Sequence, residues 1–182
     1  MQNNKPGISF IEILVILLLI SLMTSFVIPK LFTNRVGMTK KRFFSNFNSL
    51  IIDTMFQAIV TKKVHQIFFD FDHQKVMVKK HNSKIDEKNK HLQFEPVDKN
   101  LFNSQIELPQ TLTVRNFFVE KKDEIKSGMK MHDAWFYIMP DGSSQPVVIN
   151  IDDDSDEREA KFSISINPFY SQASLHDTFQ KP

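Results

Sequence analysis

Residues 8–28 form a predominantly apolar stretch in which Glu12 is the only charge. As a helix rising 1.5 Å per residue, the run reaches about 30 Å, the thickness of one hydrocarbon core. This length favours a membrane-spanning helix over the roughly 7–15-residue apolar core of a secretory signal peptide. No Ala-x-Ala-like cleavage site follows, because the first alanine of the chain is Ala58. A carboxylate in hydrocarbon costs about 2.5–3.5 kcal/mol on insertion scales, which makes Glu12 a functional residue by default.

The surroundings of Glu12 carry a specific resemblance. A short polar leader, Met1–Gly7, holds Lys5 and ends in glycine; Ile8-Ser9-Phe10-Ile11-Glu12 then opens the apolar run. This pattern resembles the processing site of type IV prepilins and type II secretion pseudopilins. The resemblance implies cleavage by a membrane prepilin peptidase between Gly7 and Ile8, followed by N-methylation of Ile8. Glu12 then becomes the fifth residue of the processed chain, where the family places its glutamate. Pro29 falls where many pilins have a proline. The family usually has Phe and Leu where this chain has Ile8 and Phe10, and both replacements remain apolar.

The ammonium freed at Ile8 would lie four residues before the carboxylate, on the same helical face. In a filament, the ammonium of a neighbouring subunit is an alternative partner. Either pairing offsets the burial of the acid, which also benefits from the positive end of the helix dipole. Lysine and arginine counts point the other way in the membrane. Lys5 is the only basic residue of the leader, whereas Lys30, Arg35, Lys40, Lys41 and Arg42 follow the run. The positive-inside rule alone would put those following residues in the cytoplasm.

Beyond the apolar run, Phe43, Phe47, Leu50, Ile51, Thr54 and Ala58 recur at three- and four-residue steps. Phe44, Ile52, Phe56 and Ile59 widen the stripe. This spacing predicts an amphipathic helix from about 30 to 61, with one face packed on a sheet and Pro29 at a kink. The periodicity then changes to two. Ile67, Phe69 and Phe71 alternate with Phe68, Asp70 and Asp72, and Asp72-His73-Gln74 reads as a turn into Val76-Met77-Val78. Lys79–Lys90 reads as a loop. Further strands are expected at His91–Val97, Thr111–Glu120, Ala134–Met139, Pro146–Ile151 and Ala160–Ile166. Pro140-Asp141-Gly142-Ser143-Ser144 is expected to close a hairpin between two of them.

The expected fold class is therefore α+β: a long N-terminal helix packed on an antiparallel β-sandwich or sheet, as in pilins. Its expected segments are a leader at 1–7, a transmembrane helix at 8–28 and an amphipathic continuation at 29–62. A periplasmic β-domain at 63–170 and a flexible tail at 171–182 complete the chain. Trp135 to Ser144 followed by Val147-Val148-Ile149 resembles the aromatic, Pro-Asp-Gly, strand signature of H-type minor pseudopilins and related minor pilins. Those proteins often end with a glycine-containing turn, which Asn167-Pro168-Phe169-Tyr170 lacks.

Other chemistry is sparse. With no cysteine, thiolate catalysis, disulfides and cysteine-ligated zinc are excluded. The formal net charge of +2 is too balanced to imply nucleic acid. Lys121, Lys122, Lys126 and Lys130 form a basic patch, but Asp123 and Glu124 dilute it and no aromatic ladder accompanies it. The acidic segment Asp152, Asp153, Asp154, Asp156 and Glu157 reads as a solvated loop. It lacks the glycine-bearing spacing of an EF-hand, so no metal is expected; Asp152, Asp154 and Asp156 are its candidate ligands. His65, His73 and His81 are spaced by eight, and the intervening turn separates them. No phosphate loop, nucleophile elbow or HExxH motif is present.

The resemblance implies a structural subunit and not an enzyme, without cofactor, anchored once in the inner membrane with its C-terminal domain in the periplasm. Its implied partners are other pseudopilins, minor and major, the prepilin peptidase, the inner-membrane assembly platform and secreted cargo. Alternatives are a minor pilin of a type IV pilus, including one for DNA uptake, and a membrane-anchored periplasmic binding domain.

Overall fold

A computed structural model of the chain describes residues 10–33, 37–85, 92–98, 103–125, 131–155 and 160–182. Two compact units divide it, residues 1–38 and 39–182. The first contains helix α1, Phe10–Thr33. Pro29 lies inside α1, and the helix does not end there. Helical structure resumes at α2, Met38–Thr61, just after Gly37, whose φ of +77° suits a residue without a Cβ.

In the second unit, α2 buries Phe43, Phe47, Leu50, Ile51, Thr54 and Ala58, the stripe that its spacing predicts. Phe56 departs from that pattern: it is 59% exposed on the opposite side. Thr54 is tolerated inside because its hydroxyl donates to the Leu50 carbonyl at 2.6 Å. Lys62, with φ of +54°, ends the helix in the left-handed conformation common after a last turn.

The strands are β1 (His65–Asp70), β2 (Lys75–Ile85), β3 (Leu92–Pro96), β4 (Gln105–Glu107) and β5 (Leu112–Val119). Then follow β6 (Lys122–Asp123), β7 (Asp133–Ile138), β8 (Val147–Asp153), β9 (Ala160–Asn167) and β10 (Gln172–His176). They form two antiparallel sheets. Sheet A has the order β3-β2-β1-β7, with β4 also paired to β2; sheet B has the order β10-β9-β8-β5-β6. The core lies between them. Phe69 of β1 meets Phe117 of β5 edge-on at 5.1 Å, and Phe47 of α2 at 5.6 Å. Helix α2 also reaches sheet B, where Asn48 accepts a hydrogen bond from the Ala173 amide at 3.3 Å. The helix thus bridges both sheets, beyond the single sheet that its apolar stripe implies.

Four expectations for the strands and their connections change as well. Strand β2 runs through Lys79–Ile85, where a loop is expected. Its lysines stay in the ladder because Lys79 lies over the Phe68 ring and Lys80 pairs with Glu95 at 3.4 Å. Strand β10 occupies Gln172–His176, inside the expected flexible tail, and pairs along β9. Strand β8 continues through Asp152 and Asp153, so both acids lie in the sheet and not in a solvated loop. Their ladder partners on β5 and β9 hold them there, and Arg115 Nε donates to the Asp152 carboxylate.

The fourth change concerns Pro140-Asp141-Gly142. The turn forms, but it does not close a hairpin between β7 and β8. Met139 N–H bonds to Ser143 O at 2.7 Å, and Ile138 and Ser144 make one bridge. At Gln145 only half of the backbone pairing remains, its N–H donating to Tyr137 O at 3.3 Å. Its side-chain oxygen, in place of a backbone carbonyl, accepts the Tyr137 N–H at 3.0 Å. Pro146 has no N–H to continue the ladder, and the chain crosses to sheet B, where β8 lies between β5 and β9.

Candidate functional site

Two regions hold the residues that the sequence singles out. In α1, Glu12 is the acidic residue of the first turn. That position places it near the positive end of the helix dipole. Phe10 is 77% exposed, and the apolar side chains around Glu12 are exposed as well. Gly7 and Ile8 lie outside the described residues. Side chains of α1 are described from Phe10 to Met23, an apolar stretch of about 21 Å against a hydrocarbon core of about 30 Å. Among the described residues, no helix is long and apolar enough to cross a membrane. The expected span, 8–28, extends beyond these side chains at both ends, and Pro29 is described by its backbone alone.

The second region is the turn at Pro140-Asp141-Gly142, which joins four elements. Asp141 Oδ1 accepts from the Ser143 hydroxyl at 2.6 Å and from its amide at 2.9 Å. These bonds hold the Asp141 carboxyl below its ordinary pKa. Gly142 has φ of +86° and packs on α2, with an added Cβ only 2.9 Å from Ile59 Cδ1. The Gly142 carbonyl accepts from the buried Ser171 hydroxyl at 2.7 Å, and the Ser144 amide donates to Pro168 O at 2.8 Å. The turn therefore ties the end of β7 to α2 and to the β9–β10 connection. Sequence spacing indicates the turn; it gives no sign of Ile59 or Ser171, which lie far away along the chain.

Gly142→Val is expected to destabilise the second unit by about 2–4 kcal/mol, combining left-handed strain with crowding against Ile59. Chemical denaturation of Gly142→Val and of the Gly142→Val, Ile59→Ala pair measures both parts. Stability equal to wild type in the single variant would rule out the packing role given to this turn.

The remaining candidates do not converge. Asp156 lies outside the described residues. Asp154 is held through its amide to Thr111 O at 2.8 Å, and Asp153 accepts from the Ser155 amide at 3.0 Å. Among the described residues, no three His, Asp or Glu side chains are grouped to hold a metal. His65 is buried against the Lys63 carbonyl, and burial pushes its pKa down; His73 instead bonds Asp70 at 2.8 Å, at the β1–β2 turn. His81 packs beside Phe94. Lys126 and Lys130 are outside the described residues, and Lys122 is paired with Glu124 at 3.1 Å.

No family model matches the chain, and no curated relative matches it. Solved structures do. One of the minor pseudopilin EpsH from the type II secretion system of Vibrio cholerae superposes with a TM-score of 0.52 at 14% identity, covering 81% of this chain and 99% of that one. A second structure of the same minor pseudopilin gives a TM-score of 0.49 at 14% identity, with 75% and 95% covered. At such identity the likeness is one of fold: the chain has the pilin-like α+β fold seen in the minor pseudopilin EpsH, helices with two antiparallel sheets.

Proposed function

We propose that the chain is a minor pseudopilin, a structural subunit of a type II secretion pseudopilus that helps export folded proteins. The observation that carries this reading is the pilin-like fold, shared with EpsH over 81% of the chain. The Gly7–Glu12 pattern supports it from the other end of the molecule. In this reading the prepilin peptidase cuts after Gly7 and Ile8 is N-methylated. Residues 8–28 anchor the chain in the inner membrane and later pack in the filament core. Glu12 pairs with an amino terminus and sets axial register. The β-domain stands in the periplasm, where other pseudopilins, the assembly platform and secreted cargo are its partners.

Mass spectrometry of the protein purified from its native membrane tests the processing step. The expected amino-terminal peptide begins with N-methyl-Ile8. An intact Met1 would sink the filament reading and leave a membrane-anchored domain.

A further inference from the structure

Asn116 of β5, Asn150 of β8, Ser163 of β9 and His176 of β10 stand opposite one another in successive ladders, so they form one row across sheet B. Their chain neighbours Phe117, Ile149, Ile151, Phe162 and Ile164 are in the core, which puts the row on the other face of the sheet. Polar side chains there should meet water, yet Asn150 is 3% exposed and Ser163 is fully buried. Residues 177–182 cover them. After His176 the chain bends at Asp177 and Thr178 and returns along its own row. Ser163 Oγ donates to Thr178 O at 2.9 Å. Asn150 Oδ1 accepts from the Gln180 amide and its Nδ2 donates to Gln180 O, both at 3.1 Å. Asn150 thus pairs with the N–H and C=O of one residue, as a neighbouring strand would.

Two side-chain contacts make the seat selective. Lys40 of α2 donates to the Asp177 carboxylate at 2.6 Å, and Lys161 of β9 stands 5.8 Å from the centre of the Phe179 ring. The row therefore fits an extended segment that carries an acid and, two places on, an aromatic residue. The chain's own Asp177-Thr178-Phe179-Gln180 is that segment. Little else holds it: Gln180 is half-buried, and the other residues of 177–182 are exposed. A segment with few buried apolar contacts opens locally, without global unfolding. On opening, Asn150 and Ser163 meet water, so no polar group is left buried without a partner.

We propose that residues 177–182 are an exchangeable strap. When it opens, the row takes the same segment from a second copy of the chain and joins the two, with Asp177 and Thr178 as the hinge. Identical bonds form in either arrangement, so exchange loses no contact, and protein concentration decides between them. The inference rests on Lys40 and residues 116–182. It is independent of amino-terminal processing and of the filament reading, so failure of one leaves the other standing.

The probe is the peptide His-Asp-Thr-Phe-Gln-Lys-Pro, the sequence of residues 176–182, with a fluorophore at its amino terminus. It is titrated in detergent into the full wild-type chain and into Gln180→Pro, which lacks the N–H that Asn150 accepts and so loosens the strap. Gln180→Pro is expected to bind the peptide saturably and at least about tenfold more tightly than wild type, whose row is filled. Adding Asn150→Ala to Gln180→Pro should weaken that binding about tenfold or more. Tagged Gln180→Pro should also retain untagged wild type, which supplies an intact segment, better than untagged Gln180→Pro. No saturable binding to folded Gln180→Pro, binding indifferent to Asn150→Ala, or equal retention of the two partners would overturn the proposal. Hydrogen exchange tests opening in the wild-type chain itself. Corrected for intrinsic rates, the Gln180 amide should exchange at least about tenfold faster than the Ile149 amide in the middle of β8. Equal rates would show that the strap opens only when the whole domain does, and would overturn the proposal as well.

Discussion

Phe69→Ala is expected to cost the second unit about 3–5 kcal/mol, the range for removing a buried Phe ring. Its ring is fully buried and touches three others, each from a different part of the chain. Phe47 of α2 stands at 5.6 Å, Phe117 of sheet B at 5.1 Å and Phe71 of the β1–β2 turn at 6.1 Å. Two of these contacts are edge-on or steeply inclined, an arrangement that contributes about 0.5–1.5 kcal/mol per pair beyond area burial. Truncation therefore opens a cavity where helix, sheet A and sheet B meet, and no single element can relax to fill it. A domain of this size has about 5–15 kcal/mol in total, so the variant should unfold at much lower denaturant. Phe169→Ala is the control, since Phe169 is 79% exposed and should change stability by no more than about 0.5 kcal/mol. Urea unfolding monitored by far-UV circular dichroism measures both. A loss below about 1 kcal/mol for Phe69→Ala would mean that the two sheets are not joined through this ring.

The buried stripe of helix α2 was legible, because burial against a core imposes a period of 3.6 that Phe43, Phe47, Leu50, Ile51, Thr54 and Ala58 obey, whereas exposed Phe56 and the start at Met38 were not. Strand β1 was legible for the matching reason, a period of two. What the local pattern does not contain is which strands become neighbours. Pro140-Asp141-Gly142 specifies a tight turn, and a tight turn forms. Whether the flanking strands then pair depends on Gln145 and Pro146, and on the place that β5 and β9 leave for β8. Composition misled at Asp152 and Asp153, since acids near the end of a strand resemble a loop until ladder partners and Arg115 are known. Strand β10 was hidden by weak patterning: only Ala173 and Leu175 mark its inner face. The candidate site follows the same division. The turn at Gly142 was visible, whereas its seat on Ile59 and its bond from Ser171 depend on the tertiary fold.

Glu12→Leu is expected to separate membrane insertion from assembly, if the chain is the pseudopilin proposed above. A carboxylate costs about 2.5–3.5 kcal/mol to place in hydrocarbon, so leucine makes insertion easier and the amount in membranes should not fall. The benefit of the acid must therefore come from a partner. The one positive group that the filament reading supplies at this depth is the amino terminus, of the same or a neighbouring subunit. Removing one member of a buried ion pair costs about 3–5 kcal/mol, because the other member stays buried without compensation. That corresponds to a fall in assembly of two orders of magnitude or more, since about 1.4 kcal/mol is a factor of ten. Glu12→Gln keeps the shape and one acceptor, and should fall between wild type and Glu12→Leu. Co-purification with other pseudopilins, normalised to the membrane-inserted amount, reads the effect. Normal co-assembly of Glu12→Leu would remove the role given to this carboxylate. A parallel fall in insertion and assembly would instead make Glu12 a residue of the anchor alone, because the pairing argument requires the two to move apart.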